Sequence, residues 1–425
     1  MSNLALLGGR PVFEKPLKPY CSISKKEIEA VNNVLKSGCL SGFFGSWEEG
    51  FLGGPFIQKL EENWSKKFNV KNSISFNSNT SGLFAAMGAI GISPGDEVIV
   101  PCTTMSATAM CPIIYGGIPV FADIDEEYFC IDLESVKSKI SSKTKAIIAV
   151  NLFGHPAKLK ELKSLAKKND LYLIEDNAQA PLGEENGQLA GTVGDIGVFS
   201  LNYHKHIHSG EGGICVTNDQ NLATRLQMIR NHAEAVVGPS GTNDIINMVG
   251  FNYRMTEMSA AVANIQLNDI NQHVAKRVKI AEILSENLKD LEGIHVPKVR
   301  EDCKHVYYVW SARFDEKIIG VSREVFVEAL NAEGFSCFGG YVEPLYNLPI
   351  FKQKIAIGSS GFPFSESKHD YKDDKCPVAE SLYKNYFLLF EPCAFEISMN
   401  ELEKLIDAFK KVYENRSKLQ GIYQK

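Results

Sequence analysis

Residues 146–176 read AIIAVNLFGHPAKLKELKSLAKKNDLYLIED, a complete strand–helix–strand unit. Its two outer runs, Ala146–Leu152 and Leu171–Asp176, are apolar almost throughout, as strands covered on both faces must be. Between them, Leu159–Lys168 carries its leucines at helical spacing and closes on two lysines, which suit the negative end of a helix dipole. A parallel strand pair joined by a crossover helix is the repeating unit of an α/β sheet. Working outward, Glu97–Pro101, Pro119–Asp123, Gly197–Leu201 and Gly213–Thr217 repeat the strand signal. Residues from about 70 to 220 are therefore expected to form a mostly parallel sheet flanked by helices.

The texture changes after residue 255. Residues 256–290 hold little Gly or Pro and predict a long helix bridging two domains. Val306–Phe314, Ser336–Tyr341 and Tyr386–Phe390 read as strands and Met399–Tyr413 as a closing helix, a pattern of a smaller α+β domain. The expected division is a large domain over 1–270, with an amino-terminal arm over 1–55, and a small domain over 271–425. Residues 355–375, IAIGSSGFPFSESKHDYKDDK, are expected to be a long surface loop. The stretch Ser37–Pro55 mixes glycines with Phe43, Phe44, Trp47 and Phe51. It fits a loop laid over a ligand or partner as well as it fits an ordinary packed loop.

Composition narrows the classes. The 425 residues are 44% hydrophobic and 23% charged, ordinary globular usage, and the net charge of −6 excludes a globally basic surface for nucleic acid or anionic membrane. The ten cysteines show no C-x-x-C pair and no zinc spacing, which fits a reducing compartment. The start, MSNLALLGGRPVFEK, lacks a cationic leader, and no apolar run approaches the roughly 20 residues that span a bilayer. A cytoplasmic protein is expected.

Chemistry concentrates in a few places. Asp176 ends a buried strand, where a carboxylate is costly unless a cation or several donors meet it. A metal or a protonated heterocycle would each answer that need, the first requiring further ligands, the second a lysine and a phosphate cradle. Lys205 lies in FSLNYHKHIHSGEGGICVTND (199–219), in a turn between two apolar strands, where open α/β sheets bind ligands. A cradle is offered by Asn77–Leu83, NSNTSGL, small polar residues opening a helix whose amides can face an anion. Ser200 could add a hydroxyl from the neighbouring strand end. His204, His206 and His208 alternate around Lys205, but no Asp or Glu is spaced to complete a metal site. No metal is expected. A nicotinamide site is disfavoured because no G-x-G-x-x-G follows an early strand.

Taken in order, LALLGGRPV, GISPGDEVIVP, PVFADID, NLFGHPAKL, LIEDNAQA, FSLNYHKHIHSGEGG, GFNYRMTEMSAAVANIQL and CPVAESL resemble the DegT/DnrJ/EryC1/StrS family of pyridoxal-phosphate-dependent sugar aminotransferases over nearly the whole chain. The resemblance implies the fold type I architecture of aspartate aminotransferase. It makes Lys205 the lysine that binds pyridoxal 5'-phosphate covalently, and Asp176 the partner of the pyridine nitrogen. Gln179 would lie near the cofactor's phenolic oxygen. Thr80, Ser200 and the amides of Asn79 and Thr80 would hold the phosphate. Asn252, in GFNYR, would reach that phosphate from a partner subunit, implying a homodimer with shared active sites. Relatives usually stack an aromatic residue on the pyridine ring, where VPCTTM here places Met105, and many carry histidine where PLYNLP has Tyr346. The family implies glutamate or glutamine as amino donor and a keto or aldehyde sugar as acceptor, a nucleotide-linked keto-deoxy sugar first. The alternatives are a keto-cyclitol, a free or phosphorylated keto sugar, and a sugar dehydratase of the same fold, in which histidine replaces the lysine.

Overall fold

The computed structural model describes residues 3–421; residues 1–2 and 422–425, the outer ends of the two expected domains, lie outside the described residues. Seven strands form the main sheet: β1 (Asn72–Phe76), β2 (Glu97–Pro101), β3 (Ile118–Ala122), β4 (Thr144–Val150), β5 (Tyr172–Asp176), β6 (Ile196–Ser200) and β7 (Gly213–Thr217). Their spatial order is β1-β7-β6-β5-β4-β2-β3, and every neighbouring pair is parallel except those that β7 makes with β1 and β6. This is the mostly parallel α/β sheet of the fold type I enzymes. The helix between β4 and β5 spans Leu159–Lys168, as its leucines predict, and buries Leu159, Leu162 and Ala166.

Because β1, β2, β4, β5 and β6 run the same way, their carboxyl ends open on one edge of the sheet. Val150 pairs with Asp176, and Asp176 with Val198, so β4 and β5 stop at one level and β6 runs two residues further, to Ser200. The helix Asn79–Ala89 starts at that edge, with Ser78 as N-cap. It lies close on the sheet because Gly82 has no side chain: a Cβ there would come within 2.8 Å of Val198 and 2.9 Å of Cys215.

A second sheet is antiparallel, in the order Ile294–His295, Trp310–Phe314, Phe387–Phe390, Cys337–Gly339. Pairing begins only at Trp310; Val306–Val309, expected to belong to that strand, instead run past the cleft, with Val306 and Val309 bonded to backbone carbonyls of Gly154 and Phe153. The helix Glu257–Leu288 joins two cores. Its Ala260, Leu267 and Val274 pack with Trp64 and Phe199, whereas Ile280, Leu284 and Leu288 pack with Trp310, Phe326 and Phe409.

The amino-terminal arm contributes to the second core through Leu4 and Leu17. The buried carboxylate of Glu333 ties it there, accepting from the amides of Ala5 (2.8 Å) and Val12 (3.0 Å) and from Lys411 Nζ (2.8 Å). Residues 355–375 form the irregular, largely exposed loop their composition suggests, but it is pinned to the core at two points. Phe364 and Tyr371 are buried against Phe351, and Tyr371 donates to the Pro119 carbonyl at 2.9 Å, so two aromatic anchors hold a polar, glycine-rich stretch. In Ser37–Pro55, Phe51 is buried and Phe43 lies under Arg230, while Phe44 remains exposed. No helix among the described residues is long and apolar enough to cross a membrane.

Candidate active site

A cleft of about 370 Å³ lies at the carboxyl edge of the main sheet. Its walls include Asn79, Thr80, Met105, Asp176, Gln179, Ser200 and Lys205, seven residues from four separate segments. Asn252 does not line it. That residue is exposed, and its Oδ1 accepts from Arg254 Nε at 2.9 Å.

Asp176 is the fixed point. Thr108 Oγ1 donates to its Oδ2 at 3.0 Å, and Asn79 Nδ2 and the Ala178 amide donate to its Oδ1 at 3.2 and 3.3 Å. Burial pushes the carboxyl above its usual range, with Thr108, the Ala178 amide, Lys205 and Asn79 opposing that rise. Lys205 is also buried, and its ammonium sits over the Tyr308 ring, 4.2 Å from the centroid. Desolvation lowers it to about 8, with the negative charge of Asp176 holding it up. An amine so placed is neutral far more often near physiological pH than an exposed lysine, which is what a nucleophile or proton carrier needs.

Asn77–Leu83 opens a capped helix at the cleft edge. Ser78 Oγ caps the Ser81 amide at 3.0 Å, and the amides of Asn79 and Thr80 belong to the first turn, where no helical carbonyl can accept them. Gly213, which ends GEGG and begins β7, makes room for this turn. A Cβ at that position would stand 2.4 Å from the Ser78 carbonyl oxygen and 2.6 Å from the Asn79 nitrogen.

Gln179 is clamped at both ends of its amide. Phe153 N donates to Oε1 at 2.6 Å, and Nε2 donates to Tyr341 OH at 3.1 Å. Met105 is half exposed at the cleft mouth, where a thioether can pack on a ring. The three histidines diverge. His206 is buried on the Val306 carbonyl (2.8 Å) and pushed down to about 3 by burial, whereas His208 meets Ser22 Oγ at 2.7 Å. Only His204 lines the cleft, and burial followed by the charge of Lys205 lowers it to about 4.

Thr108, Tyr308, Tyr341 and Glu391 also belong to the site, and reading of the sequence misses them. Thr108 stands one helical turn beyond Thr104, with their hydroxyls 3.3 Å apart, so a second hydroxyl on the same face was its only signal. Tyr308 and Tyr341 were absorbed into expected strands.

The chain matches the DegT/DnrJ/EryC1/StrS aminotransferase family over residues 21–410. The chain belongs to that family. An L-glutamine:2-deoxy-scyllo-inosose aminotransferase of Streptomyces kanamyceticus is 30% identical over 436 residues, covering 98% of this chain and 98% of its own. A GDP-perosamine synthase of Escherichia coli O157:H7 is 36% identical over 290 residues, 68% of this chain and 75% of its own. A crystal structure of GDP-4-keto-6-deoxymannose-3-dehydratase with a trapped PLP-glutamate geminal diamine superposes with a TM-score of 0.77 at 25% identity, over 93% of this chain and 100% of that one. This family member is a pyridoxal-phosphate-dependent aminotransferase.

The residues present fit that cofactor. Asp176 is a buried carboxylate whose natural complement is a protonated ring nitrogen. The buried Asn79 Oδ1 has no donor within the protein. The first-turn amides of Asn79 and Thr80 lack helical acceptors, and any side chain at Gly213 would collide with that turn.

Proposed function

We propose that this family member transfers an amino group from glutamate or glutamine to a ketone on a sugar-like ring, a nucleotide-linked keto-deoxy sugar first. The observation that carries the reading is the pairing of Asp176, buried and held by Thr108 and Asn79, with Lys205, a buried amine lowered to about 8 in the same cleft. When bound, pyridoxal phosphate would supply an electron sink. Lys205 would hold the cofactor, and its amine, lowered to about 8, is suited to taking up and returning a proton in the cleft. Asp176 would keep the ring nitrogen protonated, Gln179 would lie on the ring's oxygen side, and Met105 would pack on the ring. Thr80, Ser200 and the amides of Asn79 and Thr80 would hold the phosphate. Tyr308, packed on the Lys205 amine, keeps water from it.

The same reading includes a homodimer in which Asn252 completes the partner's phosphate site. It also includes a cytoplasmic location and a domain boundary near residue 270. Lysine at 205, where dehydratase relatives carry histidine, supports amino transfer over sugar deoxygenation. A keto-cyclitol acceptor is the second reading, favoured by the inosose aminotransferase matched over 98% of both chains.

The test has two halves. Glutamate or glutamine added to the loaded enzyme should bleach its visible absorbance and release the corresponding 2-oxo acid. The bleached enzyme, separated and offered GDP-4-keto-6-deoxymannose or 2-deoxy-scyllo-inosose, should regain its absorbance. No 2-oxo acid from either donor would defeat the reading.

A further inference from the structure

Three carboxylates line the cleft: Asp176, Glu211 and Glu391. The first has the donors described above, and Glu211 accepts from Asn202 Nδ2 at 2.9 Å. Glu391 differs. It follows the strand Phe387–Phe390, so the second sheet carries it to the cleft wall facing Lys205, Tyr308 and Tyr341. Among the described residues no hydrogen-bond donor reaches its carboxylate and no cation pairs with it at salt-bridge distance. It is nevertheless half-buried, and burial pushes its carboxyl above the usual range, with Lys205 opposing. Its charge also helps keep the Tyr308 and Tyr341 hydroxyls protonated.

In the open cleft water can supply the donors that the protein does not, so a ligand that displaces this water must bring donors of its own. The amino donor is a poor candidate. Glutamate and glutamine lose their ammonium to the reaction and bring a carboxylate, which would set like charge against like. A ring bearing several hydroxyls brings neutral O–H donors, and two adjacent hydroxyls can occupy both oxygens of one carboxylate. We propose that Glu391 is the acceptor-recognition residue: it accepts hydrogen bonds from hydroxyls of an uncharged, polyhydroxylated ring that carries the ketone, and it disfavours acceptors with phosphate or carboxylate beside that ketone. This rests on the aminotransferase reading and adds the charge of the acceptor's reacting end, which keto-cyclitols and nucleotide-linked sugars share and sugars phosphorylated beside the ketone do not.

The test is binding, read by titration calorimetry on enzyme loaded with pyridoxamine phosphate, with 2-deoxy-scyllo-inosose and GDP-4-keto-6-deoxymannose as probes. Glu391→Ala should weaken the probe that wild type binds by about tenfold to a hundredfold, the range for a hydrogen bond to a charged group. Stopped-flow bleaching by glutamine should suffer less than that by at least about tenfold. Glu391→Gln, nearly isosteric, guards against misfolding. It should retain part of the affinity and gain in use of 2-oxoglutarate relative to the neutral probe. Equal losses in probe binding and in bleaching would overturn the proposal, assigning Glu391 to the tuning of Lys205. So would wild type binding neither probe, or unchanged probe affinity in both variants. Failure of wild type to be bleached by either amino donor would instead defeat the aminotransferase reading itself.

Discussion

Glu175 and Asp176 are neighbours at the end of β5, both buried, and strand geometry turns them to opposite faces of the sheet. On one face, Glu175 is closed by local backbone. The amides of Gly191, Val193 and Gly194 donate to it at 2.6, 2.8 and 2.7 Å, and Asn151 Nδ2 adds a contact at 3.3 Å. On the other face, Asp176 is met by side chains from two distant segments, Asn79 and Thr108, and by the Ala178 amide, with a lysine's charge nearby and a cleft in front. Burial raises both carboxyls. What separates them is therefore the origin of their donors. A carboxylate that only stabilises takes amides from one loop, whereas one that does chemistry is held by side chains that leave an approach for a ligand.

The comparison can be broken at several points. Lys205→Ala should lower turnover by about 10⁴-fold or more and abolish the visible absorbance of the loaded enzyme. Asp176→Asn should cost about 10²-fold or more in turnover, measured as 2-oxo acid release, with little change in the urea midpoint of the cofactor-free protein. Its mirror image is Glu175→Gln, which must turn its amide NH2 either toward the Gly191 amide or toward those of Val193 and Gly194. That variant should lose about 2–4 kcal/mol by urea unfolding while turnover per folded molecule stays near wild type. The opposite assignment of losses would refute the distinction. Thr108→Val, which removes one donor from Asp176 and nothing from Glu175, should weaken cofactor binding by about tenfold in equilibrium dialysis.

A further effect follows pH. Lys205 titrates at about 8 in the folded chain, against about 10.4 for an unperturbed lysine. Between those values the unfolded chain holds a proton that the folded chain has shed, so stability rises with pH across that window, and the penalty is fully present below about 8. In the cofactor-free protein, Lys205→Met should therefore stabilise at pH 7 by on the order of 1–3 kcal/mol. The gain should shrink in thermal melts as the pH approaches 10.

Periodicity made the large sheet legible. Strands apolar on both faces and a crossover helix with leucines on one side leave few other arrangements, and β4 and β5 fall within two residues of their expected ends. The loaded end of β5 and the lysine turn were legible because a buried charge must have a partner. Glu333, by contrast, has no local signature, since its partners Ala5 and Val12 come from the other end of the chain. Tyr371 was hidden in a polar stretch whose burial depends on reaching the backbone of β3. Tyr308 and Glu391 belong to the cleft only through tertiary placement, and nothing in their neighbours' spacing distinguishes them from packing residues; Thr108 has only its spacing from Thr104.

The central claim is that Lys205, held beside Asp176 at the carboxyl edge of the sheet, is the residue that binds the cofactor. It is tested most directly by loading the protein with pyridoxal phosphate, reducing it with borohydride and mapping the labelled peptide. The label should fall on Lys205 alone, within FSLNYHKHIHSGEGG. A label on another lysine, or none, would contradict the account.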